Sequence, residues 1–301
     1  MELTLLQHLS GDIDLESISV ELYTIVSLSI IFYLSKFFVP LVFKRYNIVA
    51  NEQLQIEFQA RIISNINALV TTLVSGYILF NYYDEFSRQP FSFSNEYSFF
   101  IMRFIIGYFI YDLLCIIYYS KFLLEFGAVV HHCLGIVSFS VGTYFGDCHF
   151  LLLLYMFTEI STPFVNQRYF LDKLNLKKSN LYFINGVFMA FTFLIVRVLF
   201  TPIQCTKAIF ENLDVLASKH LYVRFVVPTA FTIIILLNCY WCFLIWRGLF
   251  NAIKKRYISK IGHKSASLST KNLNNNNNSS NSNSQFIDHN YSISPGKEKT
   301  N

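Results

Sequence analysis

The sequence predicts an all-α polytopic membrane protein, a bundle of about seven transmembrane helices, with six as the alternative count. Apolar residues of the types A, V, I, L, M, F, W, Y and C make up 53% of the 301 residues, and charged residues only 14%. An average soluble domain carries about 25% charged residues. The apolar residues also fall in blocks, and a bilayer-spanning helix needs a block of about 20. A soluble fold is therefore excluded.

Seven blocks are long enough to span a bilayer. They cover approximately residues 20–43, 62–82, 99–119, 122–144, 149–170, 181–201 and 222–250. The fourth block carries two adjacent histidines at its centre. The fifth carries Pro163, which should kink the helix because proline has no backbone N–H to donate.

Charge at the block ends predicts the orientation. The first 16 residues are acidic, with no Lys or Arg, whereas basic residues follow the first, third and fifth blocks and the last one. Seven crossings place these basic segments on one side, whereas six would split them. Because basic segments stay in the cytosol, we expect a lumenal N-terminus and a cytosolic C-terminus. No cleavable signal peptide is expected at the start, so the first block serves as the targeting signal.

The predicted topology divides the chain into three parts. Residues 1–51 form the lumenal N-terminus and first transmembrane helix, residues 52–256 a transmembrane domain, and residues 257–301 a disordered, Asn/Ser-rich cytosolic tail. The run 274–284 contains only Asn and Ser, so it has nothing apolar to bury. The sequons at Asn277, Asn278 and Asn290 should stay unglycosylated on the cytosolic side.

The end of the tail resembles a retrieval signal. Lys297 and Lys299 stand fifth and third from the last residue, the spacing of a dilysine signal that coat proteins read on endoplasmic-reticulum membrane proteins. The alternative is a charged end that only keeps the tail solvated. Near the lumenal helix ends, Cys148 and Cys205 either form a disulfide or remain free thiols.

Five ionisable residues lie deep in the apolar blocks: Asp112, His131, His132, Glu159 and Arg197. Such residues mark a functional site or a paired structural contact. If they are structural, Asp112 or Glu159 neutralises Arg197 and one histidine bonds a backbone carbonyl. If they are functional, they form a polar pocket, or else a proton or ion pathway. Adjacent histidines on a helix point about 100° apart, and no metal motif is present, so no metal site is expected.

Helical spacing places these residues on two faces. His131 lies on a face of small residues with Gly127, Gly135, Ser138 and Gly142, where another helix or a lipid chain can approach closely. Glu159 shares a polar face with Thr162, Pro163 and Asn166. The predicted bundle interior holds Asp112, His131, Glu159 and Arg197, with Asn166 as a further residue of the polar face.

Three motifs in this order resemble the TLC-domain family. They are Gly-Tyr-Phe-Ile-Tyr-Asp ending at Asp112, Val-His-His ending at His132, and Glu-x-Ser-Thr-x-Phe-x-Asn-x-Arg starting at Glu159. Translocation-associated membrane proteins, ceramide synthases and the neuronal-ceroid-lipofuscinosis protein of the endoplasmic reticulum share this domain. The resemblance covers about residues 52–255, so 52–256 is interpreted as a TLC-like transmembrane domain. The third motif looks most like the TLC-domain-containing protein 4 (transmembrane protein 56) branch.

The resemblance implies a function at the histidine pair. In ceramide synthases this pair carries acyl transfer from acyl-coenzyme A to a sphingoid amine, which would make His131 and His132 catalytic. Synthases continue with a His-Asp and further acidic residues, whereas this chain has only Glu159 there.

Three hypotheses follow, in order of preference. The first is a non-catalytic protein of the endoplasmic-reticulum membrane that binds or senses lipids and contributes to lipid homeostasis. Its partners are membrane lipids, held in a cavity lined by Asp112, Glu159, Asn166 and Arg197, and it needs neither a cofactor nor nucleic acid. The second is a sphingolipid N-acyltransferase that uses acyl-coenzyme A as co-substrate. The third is a cargo receptor between endoplasmic reticulum and Golgi.

Overall fold

The computed structural model describes the backbone of residues 15–42 and 51–285, and the side chains of 19–41, 51–258 and 261. Within these residues every regular element is helical. In chain order the elements are α1 (Leu15–Val42), α2 (Glu52–Arg88), α3 (Glu96–Tyr118), α4 (Ser120–Leu123), α5 (Phe126–Phe145), α6 (His149–Phe157), a 3₁₀ turn (Thr158–Ser161), α7 (Thr162–Lys173), α8 (Asn180–Thr192), a π-helical segment (Phe193–Phe200), α9 (Thr201–Glu211), α10 (Leu213–Ser218) and α11 (Leu221–Gln285).

Among the described residues, six helical stretches are long and apolar enough to cross a membrane. They are Ser19–Leu41, Glu52–Arg88, Glu96–Tyr118, Phe126–Phe145, Asn180–Glu211 and Leu221–Ile258. The prediction of an all-α polytopic membrane protein is confirmed. Helix α2 starts at Glu52 rather than near 62 because the Asn51 side chain accepts a hydrogen bond from the Leu54 N–H and caps the helix there.

The fifth predicted block is a composite. Helix α6 ends at Phe157, the 3₁₀ turn follows, and α7 carries Pro163 in its first turn. The kink expected from Pro163 therefore takes the form of a tightened turn just before the proline. The hydroxyls of Thr158 and Ser161 donate to the carbonyls of Tyr155 and Thr158, which satisfies backbone acceptors at the break.

This composite passes from one end of the bundle to the other. At its start, His149 lies 2.7 Å from Ser98 Oγ in the first turn of α3. Near its end, Asn166 accepts a hydrogen bond from Arg61 in the first turns of α2. Because α2 and α3 run antiparallel through a short connection, these contacts lie at opposite ends. Seven segments thus traverse the bundle, six as helices of membrane-spanning length and one as a composite.

Helix α6 lies at the centre of this bundle. The side chains from His149 to Leu154 and that of Met156 are buried. The outward faces of the other helices are apolar instead of polar; on α2, Leu69, Leu73 and Phe80 are exposed. Water on such a face would be unfavourable at about 25 cal/mol per Å², so these faces fit a lipid environment.

Helix α1 packs closely on α3. A Cβ atom at Gly107 would lie 2.7 Å from the Glu21 carbonyl oxygen and 2.8 Å from Thr24 Cβ, so glycine sets the approach of the two helices. One turn earlier on α3, Arg103 donates Nε and Nη2 to the two carboxylate oxygens of Glu21, at 2.9 and 3.0 Å. This bidentate pair holds α1 to the rest of the bundle.

Two units divide the chain, and the first reaches Trp246. The second begins at Arg247 and holds the rest of α11, which runs on to Gln285. The sequence predicts disorder from residue 257, whereas the backbone is helical to Gln285. The described side chains end at residue 261, so the disordered tail stays a prediction. Lys297, Lys299 and Asn290 lie outside the described residues. Cys148 and Cys205 are both buried free thiols, not a disulfide.

Candidate functional site

The two adjacent histidines have different surroundings. His132 is held at both ring nitrogens: Nδ1 lies 2.7 Å from the Ala128 carbonyl oxygen, and Nε2 lies 2.7 Å from Asp112 Oδ2. The second contact has the distance of an ion pair but not the alignment of a hydrogen bond. Since the nearest oxygen to Nδ1 is a carbonyl, Nδ1 carries a proton and donates it. His132 is therefore a fixed, anchored imidazole.

Within the described part of the chain, the imidazole of His131 is, by comparison, held by aromatic contacts and not by polar ones. Its Nδ1 atom is buried and has no hydrogen-bond partner among the described residues. Aromatic rings hold the imidazole in place: the ring centroids of Phe109 and Trp241 lie 5.7 and 6.0 Å away, both in edge-to-face arrangements. An imidazole nitrogen without a partner is costly to bury, and it is available to a bound molecule.

Glu159 and Arg197 form a buried ion pair. Arg197 Nη2 donates to Glu159 Oε1 at 3.0 Å, and Arg197 Nε donates to Ser161 Oγ at 2.8 Å. Thr162 completes the group, because its hydroxyl accepts from Arg197 Nη2 and donates to Glu159 Oε2. The sequence offered Asp112 or Glu159 as the partner of Arg197; the structure shows Glu159, while Asp112 contacts His132.

The π-helical segment positions Arg197. In this segment the Thr201 N–H bonds to the Val196 carbonyl, five residues back, which makes the turn wider than an α-helical one. Pro202, at the start of α9, has no backbone donor and so favours such a local rearrangement. Single wide turns of this kind recur at functional sites, and composition and periodicity do not reveal them.

Asn166 joins α7 to α2. Its Oδ1 atom accepts from Arg61 Nη1 at 2.9 Å, and its Nδ2 atom donates to Asn65 Oδ1 and Ser64 Oγ at 2.8 and 3.1 Å. The Arg61 guanidinium also lies 3.8 Å from the centroid of the Tyr169 ring, a cation–π contact. With its amide engaged on both sides, Asn166 serves first to hold these helices together.

Two neighbouring cavities open between the helices. The first, here called the polar chamber, has a volume of about 450 Å³. All six site residues that the sequence predicts inside the membrane line it, namely Asp112, His131, His132, Glu159, Asn166 and Arg197, and so do Glu57, Arg61, Ser64, Tyr108, Glu125 and Trp241. The chamber lies toward the bundle end at which α2 and α5 begin and α7 ends.

The second cavity, here called the apolar groove, is narrower, with a volume of about 90 Å³. It runs along α5, α6 and α11 and is lined mostly by aliphatic and aromatic side chains, among them Leu134, Phe139, Leu151, Val227, Phe231 and Ile234. The residues lining it extend along α5 from His131 to Gly142, which at 1.5 Å per residue is about 16 Å.

The polar chamber and the apolar groove share one wall. Phe109, His131, Glu159 and Arg197 line both, so the unpartnered imidazole stands where a polar space changes to an apolar one. An amphiphile suits this arrangement, with its head beside the ion pair and its chain in the groove. No three His, Cys, Asp or Glu side chains come together as a metal site in the part of the chain that the structure describes.

Several lining residues do not stand out in the sequence. Arg61 falls among the charges of a predicted connection, yet it lies inside α2. Glu57 likewise precedes the predicted block, although it lies inside α2. Asn238 and Trp241 lie in the last block. An uncharged amide and an indole are inconspicuous in an apolar block. Their spacing of three residues puts them on one helix face, and this pattern could have indicated a polar face in the last block.

The chain is similar to known proteins over most of its transmembrane part. The sequence model of the TLC domain matches residues 57–247. TLC domain-containing protein 4 A of Dictyostelium discoideum is 30% identical over 220 residues, which are 72% of this chain and 82% of that protein. Human TLC domain-containing protein 4 is 30% identical over 146 residues, 48% of this chain and 55% of that protein. No solved structure matches the chain. The chain therefore belongs to the TLC-domain family.

Proposed function

We propose that this protein binds a lipid inside its helix bundle and contributes in this way to membrane lipid homeostasis. The observation that carries the proposal is the meeting of the polar chamber and the apolar groove at His131. A lipid has the same division into a polar and an apolar part. A chain that enters the groove from the bilayer exchanges lipid contacts for van der Waals packing against the groove side chains, and the chamber supplies polar partners for the head. No cofactor is needed for this function.

We place the protein in the endoplasmic-reticulum membrane, with its N-terminus in the lumen and its C-terminus in the cytosol. With seven traversing segments the two termini lie on opposite sides. The end of the bundle at which the polar chamber lies carries Lys121, Lys173, Lys177 and Lys178, whereas the opposite end carries Arg88, Lys207 and Lys219, accompanied by the acidic Glu85, Glu211 and Asp214. The positive-inside rule then puts the chamber on the cytosolic side, where it would receive ligands from the cytosolic leaflet.

A cavity-filling variant tests the proposal. Ser138 lines the apolar groove, whereas its neighbour Val137 is exposed on the outer face of α5 and lines neither cavity. Ser138→Phe should lower the amount of lipid that co-purifies with the protein at least about tenfold, which corresponds to about 1.4 kcal/mol. Val137→Phe is the matched control. Native mass spectrometry of the detergent-purified proteins measures the occupancy, and equal lipid loads in both variants would contradict the proposal.

Acyl transfer is the second candidate, and the unpartnered Nδ1 of His131 favours it. In this reaction the amine nitrogen of a sphingoid base attacks the thioester carbon of acyl-coenzyme A. The new C–N bond forms, the C–S bond breaks, and the proton lost by the amine passes through the imidazole to the leaving thiolate. His132, held by Asp112 and the Ala128 carbonyl, would position its neighbour.

A direct assay decides between the two candidates. Purified protein is incubated with acyl-coenzyme A and sphingoid base, and the amide product is measured. Product that disappears in His131→Ala would establish the transferase; lipid binding without any product supports the non-catalytic function. The cargo-receptor hypothesis rests on Lys297 and Lys299, which lie outside the described residues, and stays a prediction, as does coat-protein binding.

A further inference from the structure

Asn238 is a buried amide without a partner for its oxygen. Its side chain is 1% exposed and lines the apolar groove. The Oδ1 atom has no hydrogen-bond partner among the described residues. Leaving such an acceptor unpaired costs about 1–3 kcal/mol, and a polar residue on the wall of an intramembrane cavity marks a functional site by default. The groove, although mostly apolar, therefore has a polar point on α11.

A second unpartnered group lines the same groove. The hydroxyl oxygen of Tyr155, on α6, is buried and has no hydrogen-bond partner among the described residues. The Tyr155 ring packs edge-to-face on Phe231 of α11, at a centroid distance of 6.4 Å, and Phe231 lines the groove as well. Asn238 precedes Trp241 by about one turn of α11, and Trp241 contacts His131. Asn238 therefore lies about one helical turn into the groove from the wall that it shares with the polar chamber.

We infer that Asn238 and Tyr155 form a hydrogen-bonding subsite for a lipid that carries a free hydroxyl group at the polar end of its alkyl chain. The inference rests on the proposed lipid-binding function and names the lipid class. A hydroxyl group both donates and accepts: it donates its one proton to Oδ1 of Asn238 and accepts a hydrogen bond from the Tyr155 hydroxyl. The chain then continues along the groove toward Gly142.

This assignment explains why an amide is placed among aliphatic side chains. The neighbouring groove residues on α11 are Ile234 and Phe231, and leucine at 238 would match them in shape without an unpaired oxygen. Discrimination follows from the same chemistry, because a ligand without the hydroxyl leaves the Asn238 oxygen unpaired after the groove has been closed to water.

A pair of ligands that differ in one group tests the inference. Hexadecan-1-ol and 1-fluorohexadecane have the same number of heavy atoms, but only the alcohol donates a hydrogen bond. Each competes with a fluorescent long-chain fatty acid for the full-length protein in detergent. We expect the unmodified protein to bind the alcohol about 5–10-fold more tightly, the value of one net hydrogen bond.

Two variants and one control complete the experiment. Asn238→Leu keeps the size of the side chain and should reduce the ratio of the two affinities to within about twofold of one, and Tyr155→Phe should lower it as well. Cys239→Leu, at an exposed position of the same helix, should keep the ratio. A ratio that survives in Asn238→Leu overturns the assignment. Equal binding of both ligands by the unmodified protein overturns the subsite alone, whereas no binding of either overturns the lipid-binding function too.

Discussion

Arg197 Nη2 lies 3.0 Å from Glu159 Oε1, and the two side chains are only 7% and 16% exposed. Replacing Arg197 by methionine leaves the Glu159 carboxylate buried without its counter-ion. Since breaking one partner of a buried pair costs about 3–5 kcal/mol, Arg197→Met should lower the thermal stability of the detergent-solubilised protein markedly. Thermal unfolding followed by size-exclusion chromatography with fluorescence detection measures the loss.

The double variant Glu159→Gln with Arg197→Met is the control for this prediction. It removes both charges, so much of the stability should return, because well-packed neutral residues often replace a buried ion pair without loss. A double variant as unstable as the single one would show that the arginine acts by packing and not by charge.

The two histidines should respond differently to alanine. His132→Ala removes the contacts with Asp112 and the Ala128 carbonyl and should destabilise the protein by about 2–4 kcal/mol, through lost packing and a carboxylate left unpaired. His131→Ala removes a ring whose Nδ1 has no partner among the described residues, so it should change stability by less than about 1 kcal/mol. Unfolding temperatures of both variants test the asymmetry, and equal losses would refute the division into an anchored and a free imidazole.

Gly107 should tolerate no side chain. In Gly107→Ala the new Cβ would stand 2.7 Å from the Glu21 carbonyl oxygen, which is backbone and cannot rotate away, so α1 must move and the Arg103–Glu21 pair weakens. We expect a loss of about 1–3 kcal/mol. Gly248→Ala is the matched control: nothing lies within 4 Å of a Cβ there, and alanine favours a helix over glycine by about 1 kcal/mol. Comparable unfolding temperatures for the two variants would contradict this account of the α1–α3 contact.

Glycosylation tests the proposed orientation. The sequons at Asn277, Asn278 and Asn290 lie on the cytosolic side in that orientation, beyond the reach of the lumenal glycosylation machinery. Protein expressed in eukaryotic cells should therefore show no change in gel mobility on treatment with peptide N-glycosidase. A mobility shift that is lost when the three asparagines are replaced by glutamine would place the tail in the lumen and refute the proposed orientation.

The sequence was most informative about where the helices are and which residues are buried. Block length and charge predicted about seven spans, of which six are continuous helices in the structure, and the cost of burying charge singled out Asp112, Glu159 and Arg197. The sequence also predicted one histidine bonded to a backbone carbonyl, which His132 shows with Ala128. These inferences succeed because they depend on local composition and on general costs of burial.

The choice of ion-pair partners, the π-helical segment and the form of the break at Pro163 could not be predicted from the sequence. Whether Arg197 contacts Asp112 or Glu159 depends on how three helices are positioned relative to one another along the bundle axis. The local sequence pattern of each helix does not determine these positions. The π-helical segment changes the direction of Arg197 within one turn, and the 3₁₀ turn before Pro163 brings Ser161 and Thr162 to its guanidinium. The division of the interior into a polar chamber and an apolar groove follows from this packing.

Photocrosslinking inside the bundle tests the central claim most directly. Cells expressing the protein are fed a long-chain fatty acid that carries a diazirine in its chain and are then irradiated. The labelled residues are identified by mass spectrometry. If a lipid chain lies in the apolar groove, Leu134 and Ile234, which line it, should be labelled, and Ser138→Phe should abolish that labelling. Labels confined to outward-facing residues such as Val137 and Phe243 would contradict a lipid-binding interior.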